Sequence, residues 1–310
     1  MINVTLKQLR YFAALAKHQH FGRAADACAI SQPALSLQVK ELENMFGTPL
    51  VERGSRKVHL TATGEEFLRK GHQILAGVEE LGNLVRASDE PLSGALRLGI
   101  IPTIAPYLLP DIVAGLARDY PGVTLELRES VTNALINDLL EARLDLAIVA
   151  LPISEPNLRE LALFEEDFVL VRPLSEADRK VPSPKSLQSM RLLLLEEGHC
   201  FRDQALSFCD ITQVQARQVM EGSSLSTLVQ MVGAGLGVTL IPEIAMNLEQ
   251  RAGGICVARF SDPAPKRSIG LIWRNTNPLS NQLAKLGEII RQAGLQKRDA
   301  ARATEAARAL

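Results

Sequence analysis

Ala24-Ala25-Asp26-Ala27-Cys28-Ala29-Ile30-Ser31-Gln32-Pro33-Ala34-Leu35-Ser36-Leu37-Gln38-Val39-Lys40-Glu41-Leu42-Glu43 reads as two helices broken by a turn. Ala24 and Ala25 are small enough for another helix to cross closely. Ser31 has the character of an N-cap, Pro33 sits in the first turn where its missing N–H costs nothing, and Gly47 marks the C-terminal stop. Upstream, Leu6 to His18 carries Leu9, Phe12, Ala13 and Ala16 at amphipathic-helix spacing, and Phe21 to Cys28 forms a second, short helix. The pattern predicts a helix-turn-helix. Thr48 to Leu60 then alternates around Gly54, with Arg53, Arg56 and Lys57 beside it, which predicts a β-hairpin wing.

Charge agrees with that reading. The whole chain of 310 residues is nearly balanced, 34 Lys and Arg against 35 Asp and Glu, yet Met1 to Val58 holds eight basic residues against four acids. A basic end on a neutral chain suits a nucleic-acid module. Gln32, Ser36 and Gln38 supply polar groups for base edges in a major groove, with Ser31, Pro33, Lys40 and Arg23 on or beside the same surface. Arg53, Arg56 and Lys57 are placed to neutralise phosphates, which positions such a module without specifying sequence.

Between Thr61 and Ser88, Phe67, Ile74, Val78, Leu81 and Val85, with Gly71 on the same stripe, alternate by four and three, the seam of a two-helix coiled coil. After the polar, turn-rich Asp89 to Gly94 the grammar changes. Ala95–Ile101, Val123–Arg128, Leu144–Leu151, Phe168–Pro173, Leu192–Leu195, Val238–Ile241, Ile255–Phe260 and Ser268–Trp273 read as strands. Tyr107–Asp119, Asn133–Ala142 and Leu279–Gly294 read as helices between or after them, Ser223–Gly233 continues the series, and such alternation predicts a parallel sheet covered on both faces. The expected organisation is therefore an α/β chain: a winged helix-turn-helix over 1–60, a dimerising linker helix over 61–88, a hinge over 89–94, an effector domain over 95–296 and a tail over 297–310 without assigned function.

Several classes are excluded. No apolar run reaches the ~18 residues of a membrane span, and Met1 to Phe12 is no secretory signal, so a cytoplasmic protein is expected. Four cysteines, Cys28, Cys200, Cys209 and Cys256, follow neither a disulfide framework nor a zinc pattern, and no metal or cofactor is expected. Gly233-Ala234-Gly235-Leu236-Gly237 lacks the spacing of a dinucleotide loop and precedes a strand, so it is read as structural.

The run from Ala24 to Glu43, followed by Gly47, Leu50 and Arg53, resembles the winged helix-turn-helix of LysR-type transcriptional regulators, departing at Cys28 and Val51, where apolar core residues are usual. The turn ending at Ile241-Pro242 is similar to one in the effector domains of that family. The resemblance implies a Rossmann-like, periplasmic-binding-protein-like effector domain of two subdomains, homodimers or homotetramers, double-stranded promoter DNA and RNA polymerase as partners, and no enzyme activity.

Glu196-Glu197-Gly198-His199-Cys200-Phe201-Arg202-Asp203-Gln204-Ala205-Leu206-Ser207-Phe208-Cys209 is the most informative segment of the second half. Cys200 follows His199, precedes Arg202 by two residues and opens an expected helix, three sources of thiolate stabilisation. A second cysteine nine positions on is placed to trap a sulfenic acid as a disulfide. On spacing alone, the better reading of both thiols is as small core hydrophobes, the usual fate of such cysteines. Thr103 between Pro102 and Ile104, the run from Gly198 to Ala205 and the interval to Cys209 are similar to the hydrogen peroxide-sensing members of the LysR family. That resemblance implies Cys200 as the peroxidatic and Cys209 as the resolving cysteine, and Thr103, Thr132, His199 and Asp203 as groups that bind or activate peroxide; Asp210 to Gln218 is where the match is weakest. The alternatives are a LysR-type regulator binding a small organic effector between its subdomains, a thiol enzyme, and a solute-binding protein. The enzyme leaves the basic N-terminal module unexplained, and the solute-binding protein requires an export signal.

Overall fold

The computed structural model describes residues 3–52, 57–86, 92–187, 190–209, 220–261 and 264–308. The chain divides into an N-terminal unit within residues 1–88 and a C-terminal unit that takes in most of the remainder.

In the N-terminal unit, α1 (Leu6–His18) starts on a capping box: Thr5 Oγ1 accepts from the Gln8 N–H, and Gln8 Oε1 accepts from the Thr5 N–H. α2 (Phe21–Ala27) and α3 (Gln32–Phe46) follow, α3 capped by Ser31 and closed by Gly47 in the left-handed conformation. Phe12, Leu15, Ala24, Ala25, Leu35, Val39, Leu42, Leu50 and Val51 form the core. The buried Glu43 carboxylate accepts from the N–H groups of Leu50 and Val51, which fixes the chain leaving α3. Of the expected wing, one antiparallel bridge between Val51 and Leu60 is present, with a bond from the Glu52 N–H to His59 O; its tip, with Arg53 and Arg56, lies outside the described residues.

α4 (Ala62–Arg86) departs from a uniform seam. Phe67 packs edge-on against Phe12 and Phe46, and Gly71 faces Leu9, so the first turns belong to the core of their own unit. Ile74 and Leu81 of the expected seam are exposed, together with Leu84. The side chain of Val85 lies outside the described residues.

The C-terminal unit is built of β1 (Gly94–Ile100), α5 (Ala105–Asp119), β2 (Val123–Glu129), α6 (Thr132–Leu140), β3 (Leu146–Leu151), β4 (Leu158–Pro173), α7 (Pro184–Leu187), β5 (Leu193–Leu195), α8 (Cys200–Phe208), β6 (Met220–Gly222), α9 (Leu225–Gly233), β7 (Thr239–Pro242), α10 (Met246–Glu249), β8 (Ile255–Arg259), β9 (Lys266–Arg274) and α11 (Ser280–Arg308). One sheet runs β2-β1-β3-β9-β4-β7, with β8 also paired to β4; β5 and β6 pair separately. The expected parallel sheet holds for β2, β1 and β3 and for β5 with β6. Elsewhere it is corrected: β9 is antiparallel to both β3 and β4, and β4 is antiparallel to β7 and β8. A chain that crosses from one α/β half to the other on β4 must return, and β9 returns alongside it in the opposite direction. β4 has 16 residues, of which the sequence pattern reveals only the last six; Glu160, Glu165, Glu166 and Asp167, with a register shift between Ala162 and Phe164, break the alternation before them.

Two glycines mark close approaches. A Cβ at Gly237 would collide with Arg191 O, which accounts for the glycine-rich turn before β7, and one at Gly294 would collide with the Phe164 ring, where α11 crosses β4. α11 runs on through the expected tail because Ala301 is buried and Arg302 pairs with the buried carboxylate of Glu243. Among the described residues no helix is long and apolar enough to cross a membrane, and no cluster of His, Cys, Asp and Glu is arranged to hold a metal ion.

Candidate redox site and nucleic-acid interface

α8 is anchored through one face. Phe201, Arg202, Ala205 and Leu206 are buried, Phe201 lies against Phe168 with 4.8 Å between ring centroids, and Phe208 meets Phe260 at 5.2 Å. The opposite face carries Cys200, Asp203 and Gln204 into a cavity of about 390 Å³. The other walls of this cavity come from α6 (Thr132, Asn133, Ile136) and from the end of β3 and the turn after it. Thr132, Cys200 and Asp203, far apart in sequence, thus share one cavity. Two polar atoms at its wall, Thr132 Oγ1 and Gln204 Oε1, are buried with no hydrogen-bond partner, and such groups are ordinarily satisfied by water or ligand. Gln204 is the member that the sequence reading missed, although it lies within the quoted segment; its position one turn after Cys200 was the available signal.

The structure does not bring the remaining expected residues into the lining. Thr103 is buried, its hydroxyl accepting from Arg267 Nη1 at 2.8 Å and its carbonyl from Nη2 at 3.2 Å. Arg267 also donates to the fully buried Glu166 and lies 5.3 Å over the Phe201 ring, so Thr103 reaches the residue beside Cys200 only through Arg267. His199 is the N-cap residue of α8 without a side-chain cap bond. Burial lowers its pKa below the ordinary 6.5 against the opposing pull of Glu196, so at neutral pH it stays uncharged. Arg202 turns away from the cavity to Leu195 O and Glu221. Both side-chain cations expected to stabilise a Cys200 thiolate are therefore withdrawn, one by desolvation and one by a competing ion pair, leaving the N-terminal end of α8.

Cys209 is the C-cap residue of α8 and is buried, which pushes its thiol up to about 11. With α8 intact, nine residues at ~1.5 Å rise separate the two cysteines by roughly 13 Å along the axis, while a disulfide requires Cα atoms within about 7 Å. All four cysteines are thiols. Asp210 to Gln218 lie outside the described residues.

In the N-terminal unit, Gln32, Pro33, Ser36 and Lys40 are exposed on α3. Ser31 caps the helix with its hydroxyl, and Arg23 donates to His18 O at the end of α1. Gln38, also expected to face base edges, is half-buried, and its Nε2 donates to Glu41 at 2.8 Å along the helix.

Residues 6–65 match the bacterial regulatory helix-turn-helix protein, lysR family, and residues 89–294 match the LysR substrate binding domain. A probable hydrogen peroxide-inducible genes activator of Streptomyces viridosporus is 43% identical over 293 residues, covering 93% of this chain and 94% of the relative. The DNA-binding transcriptional dual regulator OxyR of Escherichia coli K12 is 38% identical over 290 residues, covering 93% and 95%. The chain belongs to the LysR family, in its OxyR group. Among solved structures, a full-length OxyR of Pseudomonas aeruginosa with Cys replaced by Asp superposes with a TM-score of 0.76 at 37% identity, covering 93% of this chain and 98% of that one. A hydrogen peroxide-bound Cys-to-Ser OxyR of Corynebacterium glutamicum gives 0.69 at 34%, covering 98% and 96%.

As a LysR-family regulator the chain is a DNA-binding protein, and two exposed residues of its N-terminal unit test which side chains would meet the duplex. Lys57→Ala is expected to weaken binding to all sequences alike and to lower the slope of log affinity against log salt by about one unit. Gln32→Ala is expected to relax base preference by ~1–3 kcal/mol with the slope unchanged. A salt titration of both variants on preferred and random duplexes checks this; an unchanged slope for Lys57→Ala removes it from the phosphate contacts. Cys28, at the C-cap of α2, and Cys256, whose Sγ donates to Pro173 O, lie in structural positions.

Proposed function

We propose that this OxyR-group regulator senses hydrogen peroxide through Cys200 and transmits the signal by forming a disulfide with Cys209. The observation that carries the reading is the cavity in which Cys200 stands beside the unpartnered Thr132 Oγ1 and Gln204 Oε1, with Asp203 in the same wall. The Cys200 thiolate attacks one peroxide oxygen, the O–O bond breaks, and hydroxide leaves as the sulfenic acid forms. Thr132, Gln204 and Asp203 hold the peroxide, and neutral His199 supports the leaving group from the N-cap. Thr103 acts through Arg267 and Phe201 to position the start of α8. The Cys209 thiolate then attacks the sulfenic sulfur, releasing a second hydroxide; with the two thiol protons, the sum is one peroxide reduced to two waters and two thiols oxidised to one disulfide.

Cys209 is protonated where it is buried, and it regains an ordinary thiol pKa only when α8 opens. Oxidation and unwinding are thereby coupled. In two copies of the chain joined along α4, a changed effector-domain surface would alter the spacing of two DNA-reading units on a promoter in the cytoplasm and their contact with RNA polymerase.

Mass spectrometry of the protein before and after stoichiometric peroxide tests the site: Cys200 and Cys209 lose their thiols, and Cys28 and Cys256 keep theirs. Hydrogen exchange tests the switch, with amides of α8 slow in the reduced protein and fast in the oxidised one. A confirmed disulfide with unchanged exchange across His199–Cys209 overturns the unwinding, and inert cysteines return the cavity to a small organic effector.

A further inference from the structure

We infer that Leu37 reads the 5-methyl group of a thymine in the major groove and so fixes part of this regulator's operator preference. The inference rests on the assignment of α3 as the DNA-reading helix. Leu35, Val39 and Leu42 carry the buried stripe of α3. Leu37 stands two residues from both Leu35 and Val39, about 200° around the helix from each, and points away from the core. It is 55% exposed and absent from the apolar residues packed on that core.

A scattered exposed leucine ordinarily calls for no explanation. This one occupies the middle of the outward face of the reading helix, with Pro33 one turn before it, Lys40 one turn after it and Ser36 beside it, all exposed. Gln38, the polar neighbour that sequence alone would assign to base edges, is tied to Glu41. The side chain left to enter the groove at this level is apolar, and it has no hydrogen-bonding group to offer a base. The one apolar feature that a base pair presents in the major groove is the thymine methyl group. Ala34, exposed one turn earlier, extends the same apolar strip toward the helix start.

The experiment uses the full chain. Preferred duplexes are selected from a random library with the wild type and with Leu37→Ala, and each thymine of the wild-type site is then replaced by deoxyuridine, which lacks only the methyl group. Leu37 is exposed and alanine favours helix, so the variant keeps its fold. One thymine in each half-site is expected to lose about four-fold in affinity on replacement, the equivalent of one buried methyl group. Leu37→Ala should bind the thymine and uracil forms of that position alike, while Leu37→Met retains part of the discrimination. Identical uracil penalties at every position in wild type and Leu37→Ala overturn the inference while leaving the DNA-binding assignment intact. A wild-type chain that selects no sequence overturns both.

Discussion

In stopped-flow mixing with hydrogen peroxide, Cys200→Ser is expected to lose the fast phase altogether, whereas Cys209→Ser reacts once at an undiminished rate and then stalls as a sulfenic acid or proceeds to sulfinic acid. The asymmetry follows from the environments of the two sulfurs. Cys200 lines an open cavity at the first residue of α8, where peroxide has access and the helix end favours negative charge. Cys209 is buried at the other end, and its pKa, pushed up to about 11, leaves it protonated at neutral pH. A serine hydroxyl cannot replace the thiolate, because the nucleophile is lost. Removing Cys209 takes away only the second step and exposes the sulfenic acid to over-oxidation. Equal rates in wild type and Cys200→Ser would place the reactive thiol elsewhere.

Arg267→Ala is expected to destabilise the C-terminal unit by ~3–5 kcal/mol, the cost of leaving a buried charge without its partner. Arg267 and Glu166 are both fully buried; Nε donates to Glu166 Oε1 at 2.9 Å, and the other carboxylate oxygen accepts from the Ile244 N–H. Burial already holds the Glu166 pKa above the ordinary carboxylate range, so without the guanidinium this group must either take a proton or remain charged out of water. The same change frees Thr103 and removes the cation over Phe201, loosening the first turn of α8. Urea unfolding followed by Trp273, the single tryptophan and a buried residue of β9, reports this unit alone. A loss below ~1 kcal/mol would show that the pair is dispensable. The double variant Arg267→Met with Glu166→Leu should recover much of the loss, because an apolar pair of similar volume needs no compensation.

Most of the N-terminal unit was legible from local chemistry. Thr5, Ser31 and Gly47 act as caps at the positions their side chains or backbones suit, and the stripe Leu35, Val39 and Leu42 buries as its spacing requires. The helix at Cys200 was legible for the same reason, since a polar turn followed by a 3.6-residue apolar pattern is a short-range signal. What was not legible depended on partners distant in the chain. The pattern in α4 was real, but Phe67 was taken by Phe12 and Phe46, and no periodicity within α4 reports that competition. The first ten residues of β4 were hidden in part because Glu166 is buried against Arg267, a hundred residues away, and reads in sequence as a solvent-facing acid.

Residue types and spacing by themselves determined that this chain carries a helix-turn-helix, a long helix and an α/β half with two cysteines at the ends of one helix. Only the tertiary structure decided which side chains surround Cys200: it gathered Thr132, Asp203 and Gln204, sent Thr103 and Arg202 to other partners, and desolvated His199. The reason is physical. Caps and amphipathic stripes are set by groups within a few residues of one another, whereas a cavity, a buried ion pair and a shifted pKa exist only once remote segments have excluded water between them.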